Sequence, residues 1–131
     1  MKRIYNWKLA TVADLESDNL LDKATKLHVL GFQMDSKELK TFRGSTESQR
    51  IVKFFQWHVD NEIPIVMHNG ISFDVPLMEK LFGIDLSKLM LIDTLALSWY
   101  LNPDRRQHGL GTFWEDYGIE KPAVDDWSEQ P

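Results

Sequence analysis

A chain of 131 residues, 43% hydrophobic and 27% charged, has the size and composition of one globular domain with a real core. It contains no cysteine, which excludes a disulfide framework, and no apolar run of the ~18 residues a membrane span needs. A net charge of −5 argues against a broadly basic surface that coats nucleic acid, but not against an acidic metal site, where bound cations reverse the local sign.

The start, "MKRIYNWKLATV", has too few apolar residues for a secretory h-region, so the default expectation is the cytoplasm with no membrane partner. Residues 8–16 read as a strand. Residues 26–34, "KLHVLGFQM", are nearly all apolar, as in a strand covered on both faces. A turn over residues 35–37 leads into "ELKTFRG", a third, edge-like strand. Strands joined so tightly are expected to be antiparallel neighbours. Thr46 and Gln49 have capping-box spacing, and Ile51, Phe55, His58 and Val59 recur at helical intervals. "IPIVMHN" (residues 63–69) reads as a buried strand broken by Gly70. Residues 73–82 read as a helix, with Pro76 in its first turn and Gly83 just past its end. "LMLI" is a further buried strand and "TLALSWYL" (residues 94–101) a helix. A polar loop, "NPDRRQHG", precedes a last helix with Leu110, Phe113, Trp114 and Tyr117 on one face. The order β-β-β-α-β-α-β-α-α predicts an α/β fold: a mixed sheet, antiparallel over its first three strands and then parallel, with helices packed on it. One domain is expected over residues 1–131, with a loosely ordered tail at 122–131.

Three stretches offer chemistry. In "TVADLESDNLL", alternate strand residues share a face, so Val12, Asp14 and Glu16 point one way and Thr11, Ala13 and Leu15 the other. Two carboxylates side by side repel unless a cation lies between them. Mg²⁺ suits such a pair, whereas two solvated acids are the plainer alternative. In "HNGISFD" (residues 68–74), Asp74 opens a helix. It is either an acid favoured by the helix dipole or a partner for the first two acids where strand ends and helix starts converge. In "LIDTLALSWYL", Asp93 reads first as an N-cap. His108 reads as a surface or supporting residue. His28 and His58 read as members of strand and helix faces, and Trp57, Trp99 and Trp114 as core or helix-packing residues. Arg105 and Arg106 read as solvated, with phosphate as the other option.

Taken together, "DLESDNLL", "HNGISFDVPLMEKLFG", "IDTLALSWYL" and "HGLGTFWEDYGI" resemble the 3′–5′ exonuclease (proofreading) domain of family A DNA polymerases, in its podophage-type version, within the DEDD superfamily. The resemblance runs over about residues 9–127. It implies an RNase H-like fold and a Mg²⁺ or Mn²⁺ site that hydrolyses DNA 3′ ends with two ions about 4 Å apart, releasing nucleoside monophosphates. By it, Asp14 and Glu16 match the first-motif acids and Asp74 the second-motif acid. Ser17 and Leu20 match positions that contact and wedge the terminal nucleotide. His68, Asn69 and Phe73 stand on the same nucleic-acid side, and Asp93 and His108 support. The implied partners are a frayed or single-stranded DNA 3′ end and a polymerase.

The family pattern also has a fourth acid, in a Tyr-x-x-x-Asp or His-x-x-x-x-Asp helix. Asp125 and Asp126 have neither that spacing nor a helical pattern around them. The expectation is a C-terminally truncated domain with part of its core uncovered. A partner chain or a homodimer would then complete it. The alternative is an inactive RNase H-like module that binds DNA ends or a replication partner.

Overall fold

The computed structural model describes residues 10–34, 37–110 and 112–113. Five strands form one sheet in the order β3-β2-β1-β4-β5: β1 (Thr11–Ser17), β2 (Leu27–Met34), β3 (Lys40–Arg43), β4 (Ile65–Met67) and β5 (Leu91–Asp93). Three helices alternate with them: α1 (Ser48–Asp60), α2 (Val75–Phe82) and α3 (Thr94–Leu101). β1 pairs antiparallel with β2, and β2 with β3; β1–β4 and β4–β5 are parallel. This is the mixed sheet the element order predicts. The last predicted helix lies largely outside the described residues, and the 122–131 tail wholly so.

Strand alternation decides which residues face the core. On β1, Thr11, Ala13, Leu15 and Ser17 are buried, while Val12 and Asp14 are exposed and Glu16 is half-buried. The buried set meets Leu30 and Phe32 of β2, Ile65 and Met67 of β4, and the apolar stripes of α1 (Ile51, Phe54, Phe55) and α2 (Leu77, Met78) in one core. α1 and α2 therefore cover the face opposite Asp14. β2 is not covered on both faces as its composition suggested: Gln33 is exposed and Gly31 half-buried. His58 joins the core as a satisfied polar group. The Phe54 carbonyl accepts from Nδ1 at 2.7 Å, so Nε2 of the neutral ring accepts from the Thr11 hydroxyl, also at 2.7 Å.

Two local expectations need correction. The Thr46–Gln49 capping box does not form: α1 begins at Ser48, with Glu47 at the N-cap position and no side-chain cap bond. Glu47 instead accepts from the Arg43 amide at 3.2 Å and pairs with Arg50 at 3.2 Å, tying the helix start to the end of β3. Trp57 and Trp99 are not core residues; they remain 44% and 53% exposed, and one face of Trp99 stacks on His108.

Candidate metal centre and nucleic-acid interface

The site forms where β1 ends, β4 ends and α2 begins. A register shift at Glu16/Ser17 marks the end of regular β1–β2 pairing directly after the two acids. Such bulges re-aim side chains at sheet ends. Beyond β4 the chain turns sharply. Asn69 takes a left-handed conformation (φ 64°), which asparagine tolerates better than most residues. A π-helical turn, Gly70–Asp74, then runs straight into α2. Gly70 is required by close approach: a methyl there would stand 2.9 Å from Met67 Cβ and 3.2 Å from both Leu91 methyls. Pro76 sits in the first turn of α2, and Gly83 ends the helix with φ 64°, as its sequence signals predict.

Asp93 holds this turn in place. Its Oδ1 accepts from the amides of Asn69 (2.9 Å), Leu95 (2.9 Å) and Ala96 (3.4 Å), and its Oδ2 from Ile71 (3.1 Å). It is thus the N-cap of α3 and also the anchor of the Asn69–Ile71 backbone. The sequence showed the first role and hid the second, because the partners are main-chain amides more than 20 residues away.

Asp74 is the centre of the site. It is 3% exposed, and its Oδ2 is buried with no hydrogen-bond partner. Burial raises its pKa first, then the charge of Asp14, with smaller contributions from Glu16 and Asp93; a hydrogen bond from the Leu15 main chain opposes them, and the net result is about 7. Asp74 is therefore not a dipole-stabilised surface acid, and its side chain makes no cap bond. The charges of Asp14 and Glu16 both act on Asp74, so the end of β1 that carries them lies near the start of α2. Among the described residues no group of three Asp, Glu or His side chains is placed to hold a metal ion. What they offer is an incomplete set of hard oxygen donors around one orphaned carboxylate oxygen. Carboxylate oxygens are the donors that hard divalent cations such as Mg²⁺ and Mn²⁺ prefer.

The other expected site residues fall into two groups. His68 shares with Asp14 an open concavity of about 470 Å³ on the outer sheet face, lined also by Val12, Gly31, Gln33 and Thr94. Its Nδ1 lies 2.9 Å from the Thr94 hydroxyl, and its Nε2 is buried without a partner. Phe73 is half-buried against the core beside Asp74. Leu20 is 73% exposed on the connection after β1. Ser17 is buried, and its hydroxyl donates to the Asn19 carbonyl at 2.7 Å, so it shapes that connection. His108 is not on the surface. It is buried, with Nε2 donating to the Arg105 carbonyl (2.8 Å), so that Nδ1 accepts from Ser98 (2.6 Å).

Comparison with known proteins agrees with this architecture. The DNA-directed DNA polymerase of Enterobacteria phage T3 is 31% identical over 112 residues, covering 76% of this chain and 15% of that polymerase. The PolC-type DNA polymerase III of Mycoplasma pneumoniae is 49% identical over 49 residues, 35% of this chain and 3% of that one. In solved structures, Brucella melitensis NrnC superposes with a TM-score of 0.69 at 20% identity, over 94% of this chain and 60% of NrnC, and its Mg²⁺-bound form with 0.68 at 19%. The chain thus spans three-fifths of NrnC and a small part of each polymerase, and the structural likeness speaks to the fold. A family model of the RNase H superfamily matches residues 12–125. Mixed sheet, helix placement and family match agree: the chain belongs to the RNase H superfamily.

Proposed function

We propose that this chain is a divalent-cation-dependent 3′–5′ exonuclease domain of the proofreading type, acting on DNA 3′ ends. Asp14, Glu16 and Asp74 are its cation-holding acids. The observation that carries this reading is the buried, unpartnered Oδ2 of Asp74, at a place where Asp14 and Glu16 from a distant segment bear on the same carboxylate. A buried acid facing two further acids opposes folding unless something positive joins them. Mg²⁺ or Mn²⁺, when bound, neutralises the scissile phosphate and acidifies water.

The chain's own residues do the positioning. Asp74 is fixed by the start of α2, and Asp14 and Glu16 by strand alternation. Asp93 holds the turn that carries Asn69. Phe73 and the exposed Leu20 offer apolar surfaces on which a frayed terminal base stacks with little sequence preference. The similarity to the phage T3 polymerase supports a podophage-type family A origin and a polymerase as partner. A further acid from beyond the described residues, from a polymerase or from a second copy completes the donor set.

A 5′-labelled duplex with a recessed 3′ end, incubated with Mn²⁺, is expected to shorten stepwise from that end. Asp74→Asn and Asp14→Ala are each expected to slow this about 100-fold or more. Failure to shorten, together with no Mn²⁺-dependent rise in melting temperature, would overturn the reading.

A further inference from the structure

We infer that Lys80 is a positioning residue for the 3′ end: it clamps the connection between β1 and β2 and thereby holds Leu20 at the site. This rests on the 3′-end reading above. The connection, residues 18–26, is pinned along its whole length. At its base, Asp18 accepts from the Thr25 amide (3.0 Å), the Thr25 hydroxyl (2.5 Å) and the Lys26 amide (3.2 Å). Its middle is a tight turn, with the Lys23 amide donating to the Leu20 carbonyl at 3.0 Å. The Leu20 amide donates to Asn19 Oδ1 at 2.8 Å. On its far side, the Lys80 ammonium donates to the carbonyls of Leu21 (2.7 Å) and Asp22 (3.2 Å).

Ala24 is buried and Leu21 packs on the core, so the apolar side chains beside Leu20 serve folding. Leu20 does not; it is 73% exposed, an apolar side chain of the connection left in water. Fixing a loop has an entropic cost. Here that cost yields a rigid platform for a side chain that the core does not use. The clamp also ties two parts of the site together. Lys80 lies in the last turn of α2, the eight-residue helix that begins directly after Asp74. The six-residue step from Asp74 to Lys80 spans about 9 Å of rigid helix. A single short helix therefore registers the base-stacking residue against the buried acid. The partners of Lys80 are main-chain carbonyls, so no residue pattern at 21 or 22 announces the contact.

The test uses the full chain with Ca²⁺ in place of Mg²⁺ and a duplex carrying a 3′-terminal 2-aminopurine, whose fluorescence rises when the base unstacks. Lys80→Met is expected to weaken binding about 5-fold and to lose most of the fluorescence rise at saturation, with the melting temperature nearly unchanged. Lys80→Arg, which can still donate to both carbonyls, is expected to restore the signal. Leu20→Ala is expected to give the same optical loss, and adding Lys80→Met to it to change little further, because the two residues act as a unit. A wild-type signal in Lys80→Met, or full additivity with Leu20→Ala, would overturn the inference while leaving the 3′-end reading intact. Absence of any binding by the wild-type chain would instead sink that reading, and this inference with it.

Discussion

The raised pKa of Asp74 and the lowered pKa of His58 change stability with pH in opposite senses, which makes the two separable. An unfolded Asp loses its proton near 3.8, whereas Asp74 in the fold keeps it to about 7. Between those values only the folded state holds the proton, so this contribution to stability is present at low pH and is lost as pH rises towards 7. Its size is on the order of a few kcal/mol at ~1.4 kcal/mol per unit. His58 is the reverse: burial lowers its pKa from 6.5, so its contribution is present above 6.5 and is lost as pH falls. The cation-free protein is therefore expected to melt at a lower temperature at pH 7.5 than at pH 5. In Asp74→Asn that slope should vanish or invert, leaving the His58 effect. Mg²⁺ at pH 8 should raise the melting temperature of the wild type and not of this variant; thermal scans at fixed ionic strength check all three. Much of the residue scale was legible. The alternation in "VADLES" placed Asp14 and Glu16 together, because a strand has no other way to point them. Of the two readings of His108 the surface one fails, because a polar loop sequence does not reveal Ser98 ten residues earlier, or the indole of Trp99 stacked on its ring.

Among the elements, the start of α3 and the turn before α2 depend on one carboxylate. Replacing Asp93 by Ala removes an N-cap and leaves the Asn69 and Ile71 amides without that acceptor. The expected loss is about 2–4 kcal/mol in urea unfolding, and Asp93→Asn, which keeps one acceptor oxygen, should lose clearly less. Gly70→Ala is expected to cost about 1–3 kcal/mol by the same measurement, since Met67 Cβ and the Leu91 methyls must give way. It should also weaken Mn²⁺ binding in calorimetry, because the turn that shifts is the one that delivers Asp74. The elements with strong punctuation were legible: Asp93 and the following apolar run bounded α3 correctly, and Pro76 and Gly83 bounded α2. The start of α1 was misplaced because Glu47, not Thr46, takes the cap position while tied to Arg43 and Arg50, a tertiary preference that capping statistics do not contain. The π-helical turn had no signature in composition; it arises from packing Gly70 against β4 and β5.

At the scale of the whole molecule, exposed apolar side chains of the described residues cluster in two places, besides single ones such as Trp57 and Ile71. One is the outer sheet face, where Val12 and Leu39 line the concavity beside Asp14; the other is α3, where Leu97, Trp99, Tyr100 and Leu101 are all exposed. Patches of this kind favour association. Sedimentation velocity over about 10–100 µM is expected to show concentration-dependent self-association, weakened by Leu97→Lys or Tyr100→Lys. A monomer throughout that range would count against the homodimer expected from the sequence. The fold class was readable because three tightly joined strands followed by βα units admit few topologies. The partial exposure of β2 was not, since the run "KLHVLGFQM" looks covered on both sides until Gln33 and Gly31 are placed. The sheet order carries a further consequence, for the chain as it is made. β1 is the middle strand, and its two neighbours come from well-separated stretches of the sequence: Leu15 finds Leu30 early, but Thr11 must await Ile65. A growing chain thus exposes Asp14 and Glu16 on an antiparallel meander long before Asp74 has been synthesised. Long-range parallel pairing is the slow step in such topologies. Pulse-labelled hydrogen exchange during refolding is expected to protect β1, β2 and β3 amides before those of β4 and β5. Asp74 meets the charges of Asp14 and Glu16 only when α2 is placed, so the largest part of the electrostatic conflict is deferred to late folding, where a cation can resolve it.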